Sequence, residues 1–175
     1  MSETESQGLR ISPLAEGDIE ALIGLAGVIW RHHYPGIIGV QQVEYMLAQR
    51  YTPALVRAQL ERDDAWWDKV LAGGRMIGFV QYELCERERH TRAMKLNQIY
   101  VHQDCQRQGH GGRILAHVEE RARRCGCNRV RLYVNRHNAS SIAAYRKHGY
   151  AVTQTLVTAI GGGFVMDDYV MEKAL

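Results

Sequence analysis

Apolar residues recur along this chain with two different periods. From Ile19 they fall at Leu22, Ile23, Ala26, Ile29 and Trp30, the i, i+3, i+4 spacing of a helix with one buried face. Asp18 stands where such a helix is capped, and the segment His32 to Gly39, with one Pro and two Gly, breaks it. Val43, Met46 and Leu47 mark a second, shorter helix. Thr52 and Pro53 form a helix start, Thr as the cap and Pro at the first helical position. Leu55, Val56 and Leu60 are then expected to face inward. Ahead of all this, Leu9 to Pro13 reads as a short strand.

Strand-like segments follow. Trp66 to Leu71 and Arg75 to Leu84 flank Gly73-Gly74, a tight hairpin signal, and Met94 to Val101 is a further strand. The helical period returns at Ile114, Leu115, Val118, Ala122 and Cys125, with Gly126 suited to the helix end. Val130, Leu132 and Val134 alternate as a strand. Asn138 can cap a helix over Ala139 to His148, ended by Gly149. Tyr150 to Thr158 and Val165 to Lys173 are the last two strands, joined through Gly161-Gly162-Gly163. Met94 to Val134 is a strand, Gly-rich turn, helix and strand, which predicts a parallel pair with a right-handed crossover. The other strands read as hairpins, so a mixed, mostly antiparallel sheet with flanking helices is expected.

There is no internal repeat or low-complexity linker, so residues 9–175 read as one domain behind a loose tail at 1–8. A length of 175 residues suffices to close a hydrophobic core. The formal charge of +3 is small, and basic residues are interleaved with acids, which argues against a nucleic-acid partner. No apolar run nears the roughly 20 residues of a membrane span. The start, Met1 to Gly8, carries two glutamates and no basic residue, unlike a secretory leader, so a cytoplasmic protein is expected. Cys85, Cys105, Cys125 and Cys127 form no disulfide framework or zinc spacing, so no metal is expected and free thiols are.

The chemistry lies around Gln106-Arg107-Gln108-Gly109-His110-Gly111-Gly112. Glycines let backbone approach a ligand closely, and a turn that opens a helix presents amides with no internal partners. Those amides and the helix dipole favour phosphate. A plain tight turn into a helix would have the same composition. The loop lacks the GxxxxGK(S/T) pattern of nucleotide-triphosphate sites, and its third glycine is misplaced for a dinucleotide fingerprint.

Gln106-x-x-Gly109-x-Gly111, after a strand ending Ile99-Tyr100-Val101, resembles the acetyl-CoA motif of the GNAT family of N-acetyltransferases, written Q/R-x-x-G-x-G/A. Asn138 opening a helix, Tyr145 seven residues on, and Gly149-Tyr150 after that are similar to the family's second signature. Both stand in the family's order, and the resemblance covers nearly the whole chain. It implies an α/β sheet of about six to seven strands whose central parallel pair splays apart to admit the pantetheine of acetyl-CoA. It further implies that Ile99, Tyr100 and Val101 pair with pantetheine through their backbone, and that the turn from Gln106 through Arg107, Gln108, Gly109, His110 and Gly111 to Gly112 holds the pyrophosphate. Asn138 would bond the pantetheine arm, beside its reading as a plain helix cap. Tyr145 would be the general acid that protonates the leaving thiolate. With Arg107 and Arg113, the cluster Arg121, Arg123 and Arg124 could attract phosphate, although a solvated helix face is the default for the last three.

Many members of the family place a Glu on the strand before the phosphate loop as general base. Met94 to Val101 contains no Asp or Glu. Glu83 on the preceding strand is the first substitute, and a water chain the other; Asp167 and Asp168 stand where they could bind a cationic acceptor. The resemblance implies acetyl transfer to a primary amine. The His- and Tyr-rich stretch from His32 to Tyr51 and the last hairpin resemble small bacterial acetyltransferases, some of which act on polyamines. Acetylation of a protein N-terminus or lysine, and a non-catalytic acyl-CoA sensor, stay open as alternatives. Members of the family often pair through edge strands, which sets a homodimer as an expectation.

Overall fold

The computed structural model describes residues 8–85 and 92–175. Except for Gly8, the tail expected at residues 1–8 lies outside the described residues. The chain runs β1 (Arg10–Pro13), α1 (Ile19–His33), α2 (Pro35–Ile38), α3 (Val40–Arg50), α4 (Pro53–Leu60), β2 (Ala65–Ala72), β3 (Arg75–Leu84), β4 (Ala93–Val101), α5 (His110–Arg124), β5 (Arg129–Asn135), α6 (Ala139–Lys147), β6 (Ala151–Gly161) and β7 (Phe164–Ala174). The seven strands form one sheet in the order β1-β2-β3-β4-β5-β7-β6. Every neighbouring pair is antiparallel except β4 and β5, which are parallel.

That parallel pair is short. It runs from Ala93 opposite Arg129 to Leu96 opposite Leu132 and stops there. On the outer sides pairing continues: β3 follows β4 up to Val101, and β7 follows β5 up to Asn135. The two central strands are thus held by their other neighbours while they separate from each other. This is the expected splay, and it leaves the β5-facing edge of β4 beyond Leu96 without a strand partner.

Alternation along the strands supplies two cores. On one face Val80, Tyr82, Met94, Leu96, Val130 and Leu132 meet Ile114, Leu115, Val118 and Ala122 of α5. On the other, Phe79 and Trp67 meet Leu22, Ala26, Ile29 and Trp30 of α1, with Val43 and Met46 of α3 and Val56 of α4. Burying a side chain such as Leu22 or Phe79 contributes roughly 1.5–3 kcal/mol. Two buried acids also pin α5. Asp68 of β2 accepts from Tyr82 (2.6 Å) and pairs with His117 (2.7 Å), and Glu119 meets Tyr150 (3.2 Å) and Lys173 (2.9 Å). The helix that opens at the Gly-rich turn is therefore fixed to β2, β3 and β7 at two levels.

Three local expectations need correction. Asp18 stands at the start of α1, but its carboxylate accepts from the Ala15 amide (2.8 Å) and from Lys69 (2.5 Å), not from the helix's first amides. Leu55 is 36% exposed, because α4 is a two-turn helix whose buried residue is Val56. Within the segment expected to break α1, residues Pro35–Ile38 form α2, with Pro in the first turn where its missing N–H costs nothing. The Thr52 cap is as expected, its hydroxyl accepting from the Leu55 amide at 3.2 Å. Among the described residues, no helix is long and apolar enough to cross a membrane.

Candidate active site

The splay opens into a cavity of about 1320 Å³. On one flank lies the Gly-rich turn, and on the other α1, α3 and the β6–β7 hairpin. Of the residues singled out from sequence, Ile99, Tyr100, Val101, Gln106, Arg107, Gly109, His110, Gly111, Gly112, Asn138, Tyr145 and Glu83 all line it. Gln108 is exposed and does not.

The turn is shaped by backbone that most residues avoid. Arg107 has φ +60°, the one non-glycine residue at positive φ among those described, and Gly109 follows at φ +79°. A side chain in the left-handed region costs roughly 1–2 kcal/mol, so the surroundings must hold Arg107 there. Part of that hold is Gln106, whose side-chain amide donates to the Val101 carbonyl at 3.0 Å. Gly112 is needed for another reason: a Cβ there would stand 2.5 Å from Cε1 of His148. The His148 ring thus closes against the first turn of α5. Nδ1 of His110, at the helix start, is buried without a hydrogen-bond partner among the described residues. Unpaired helix-start amides, an unpartnered ring nitrogen and Arg107 together fit an anionic diphosphate.

Asn138 is 3% exposed. Its Oδ1 caps α6 by accepting from the Ser141 amide at 3.4 Å, and lies 3.3 Å from Ser140 Oγ. Because Oδ1 is the accepting end, His33 Nε2, 3.2 Å away, must carry the proton. Sequence reasoning missed this bond between α1 and α6; no local pattern marks it.

Tyr145 projects from α6 and sits half-buried beside Tyr150, ring centroids 6.0 Å apart. Burial, and then Tyr100, push its phenol above the ordinary value, so it stays protonated at neutral pH. In the cavity wall Trp30, Tyr34 and Tyr100 form an aromatic cluster, which Tyr51 joins through Trp30 (centroids 5.9 Å), with Trp30–Tyr34 centroids at 4.6 Å and the Tyr34 and Tyr100 hydroxyls 3.2 Å apart. Tyr34 and Tyr51 belong to the stretch His32 to Tyr51 whose His and Tyr content stood out in the sequence; that they would gather around Trp30, with Arg50 beside it, had not been legible. The Arg50 guanidinium lies 5.8 Å from the Trp30 ring centroid and 3.1 Å from Met166 Sδ.

The acids divide. Glu83 accepts from Arg62 (2.8 Å) on one oxygen and from Asn97 (3.0 Å) on the other. Asp167 pairs with Arg136 at 2.8 Å and does not line the cavity. Asp168, its neighbour on β7, does line it and is 5% exposed. Burial pushes the Asp168 carboxyl up to about 6, opposed by Arg50 and helped by Asp167. Among the described residues, no group of three or more His, Cys, Asp or Glu is placed to hold a metal ion.

A half-buried, protonated phenol, a Gly-rich turn that suits an anion and a strand edge open to an extended ligand meet in this one cavity. Over residues 21–150 the chain matches the acetyltransferase (GNAT) family. It is similar to the spermidine N(1)-acetyltransferase of Thermoplasma acidophilum, 24% identical over 163 residues that cover 91% of this chain and 96% of that one. In fold it resembles the PaiA N-acetyltransferase of the same organism, solved in complex with coenzyme A, with a TM-score of 0.82 at 24% identity, covering 96% of this chain and 99% of that one. It also resembles Arabidopsis thaliana NAA60 in complex with a bisubstrate analogue, with a TM-score of 0.73 at 18% identity, covering 96% and 99%. The chain belongs to the acetyltransferase (GNAT) family and is an acetyl-CoA-dependent N-acetyltransferase.

Proposed function

We propose that this enzyme transfers the acetyl group of acetyl-CoA to a primary amine, with small amines and polyamines as the acceptor class, by direct attack on the thioester. The observation that carries the reading is the splay itself: the free edge of β4 and the Tyr145 phenol face one cavity. Pantetheine would lie along Ile99, Tyr100 and Val101 as an added strand, its diphosphate at the turn from Arg107 to Gly112. The side-chain amide of Asn138 would donate to the pantetheine arm while Oδ1 keeps α6 capped. The similarity to a spermidine acetyltransferase supports the polyamine class.

The amine forms a C–N bond at the thioester carbonyl, and the C–S bond then breaks. The departing sulfur takes a proton from the Tyr145 hydroxyl, which the raised phenol pKa keeps available. The Tyr145→Phe variant tests this role. General-acid loss is expected to lower kcat by about 10²–10⁴-fold, with acetyl-CoA affinity within about twofold. A kcat close to wild type would remove Tyr145 from the mechanism.

A further inference from the structure

Asp168 is a buried acid in the cavity wall. It lies on β7 opposite Asn135 of β5 and Leu156 of β6, at the end of β5 where β4 has already parted from it. Oδ1 is buried and has no hydrogen-bond partner among the described residues. Leaving a buried polar atom bare costs roughly 1–3 kcal/mol, and more for a charged group. Such a cost persists where function requires it. The cavity that Asp168 lines is also lined by Trp30, Tyr34 and Tyr100, faces that favour a cation.

We propose that Asp168 is the general base of this enzyme: its carboxylate receives the ammonium of the acceptor and takes the proton that the amine must lose before it attacks. This rests on the amine-acetylation reading above. The step balances simply. The N–H bond of R–NH3⁺ breaks, an O–H bond forms on Asp168, and the freed nitrogen pair attacks the thioester carbonyl; as the amide forms, the nitrogen gives up a second proton, which replaces the one that Tyr145 passes to the departing sulfur. After the thiol has left, the Asp168 proton returns to solvent.

Other groups in the cavity wall are less suited. Both Glu83 oxygens are engaged, by Arg62 and Asn97. His33 Nε2 is committed to Asn138. The charged or titratable groups whose fields reach Asp168 are Arg50 of α3, Asp167 of β7 and Tyr100 of β4. Burial raises the carboxyl to about 6, nearer to the working pH that favours a proton acceptor, and leaving water lowers the pKa of the amine.

The test uses the full chain, acetyl-CoA and spermidine as the acceptor probe, with thiol release as the readout. Asp168→Asn keeps the side-chain shape and removes the base. It is expected to lower kcat by about 10²–10⁴-fold, with acetyl-CoA affinity unchanged by calorimetry, and Asp168→Glu is expected to restore part of the rate. Wild-type kcat/KM should show an acid limb near pH 6. In the Asn variant that limb should be replaced by a steady rise toward the free amine's pKa of about 10. A purely structural role would not exchange one pH profile for the other. An Asn variant with near-normal kcat, or with a raised KM alone, would overturn the assignment and leave Asp168 an anchor at most. Should the variant fail to fold, the wild-type profile decides: the limb near pH 6 supports the base, and a flat profile down to pH 5 overturns it. Absence of thiol release already in the wild type would strike the amine reading itself and this assignment with it; release by wild type and variant alike strikes the assignment only.

Discussion

His33 Nε2 stands 3.2 Å from Asn138 Oδ1, joining the last turn of α1 to the cap of α6 in the cavity wall. The bond ties α1 to the helix that carries Tyr145. Asn138→Ala removes both the cap and the His33 acceptor. The cap alone is worth about 1 kcal/mol, so a melting temperature lower by about 2–4 °C is expected for a chain of this length. Asn138→Asp retains an accepting oxygen and discards the amide donor. Its melting temperature should stay near wild type while acetyl-CoA binds more weakly. Calorimetric titration with acetyl-CoA and thermal melts of both variants separate the two jobs of this side chain.

Gly112 gives the second prediction. A methyl group at this position meets the His148 ring at 2.5 Å, so Gly112→Ala must displace that ring or the first turn of α5. Overpacking of this kind costs roughly 1–3 kcal/mol. Acetyl-CoA affinity is expected to fall by about tenfold, since about 1.4 kcal/mol corresponds to one decade. The double variant Gly112→Ala with His148→Ala should recover most of the loss, because the clash is with the ring. Equal losses in the single and double variants would show that the glycine matters for its backbone and not for the room it leaves.

Stability should depend on Asp168 in the sense opposite to most acids. Its carboxyl is raised in the folded chain, to about 6 from an ordinary 3.8. Between those values the native state binds more protons than the unfolded one, so stability falls as pH rises from about 4 to about 6. The accumulated loss at neutral pH is on the order of 3 kcal/mol. Asp168→Asn is therefore expected to melt several degrees higher than wild type at pH 7.5, with the gain shrinking toward pH 4. A more stable but slower enzyme is the combination to look for. Parallel melting temperatures across that range would mean that the carboxylate is not held at a cost.

Much of the fold could be read from the chain because its signals are local. The Thr52 cap, the Gly73-Gly74 hairpin, the helical stripe of α5 and the Asn138 cap each depend on residues within a few positions. The Gly-rich turn was legible for the same reason, since Gly109, at φ +79°, marks a backbone need. Leu55 was misread because a stripe counted over two turns does not say which position the sheet covers. Asp18 was misread because Ala15 and Lys69 compete for its carboxylate, and Lys69 comes from β2, 51 residues away. The difference between Asp167 and Asp168 was out of reach of sequence. Adjacent strand residues point to opposite faces, but which face becomes the buried wall depends on β7 inserting between β5 and β6 and on where α1 and α3 pack. The aromatic cluster likewise gathers Trp30 from α1, Tyr34 from the junction of α1 and α2, Tyr51 from just past α3 and Tyr100 from β4.

The most direct measurement is thiol release from acetyl-CoA by the purified protein, with and without spermidine, and then with other primary amines and short peptides. Release that depends on a primary amine, with stoichiometric acetylated product, is the expected result. Tight binding of acetyl-CoA with no release for any amine would contradict acetyl transfer to an amine and leave only the acyl-CoA-binding half standing.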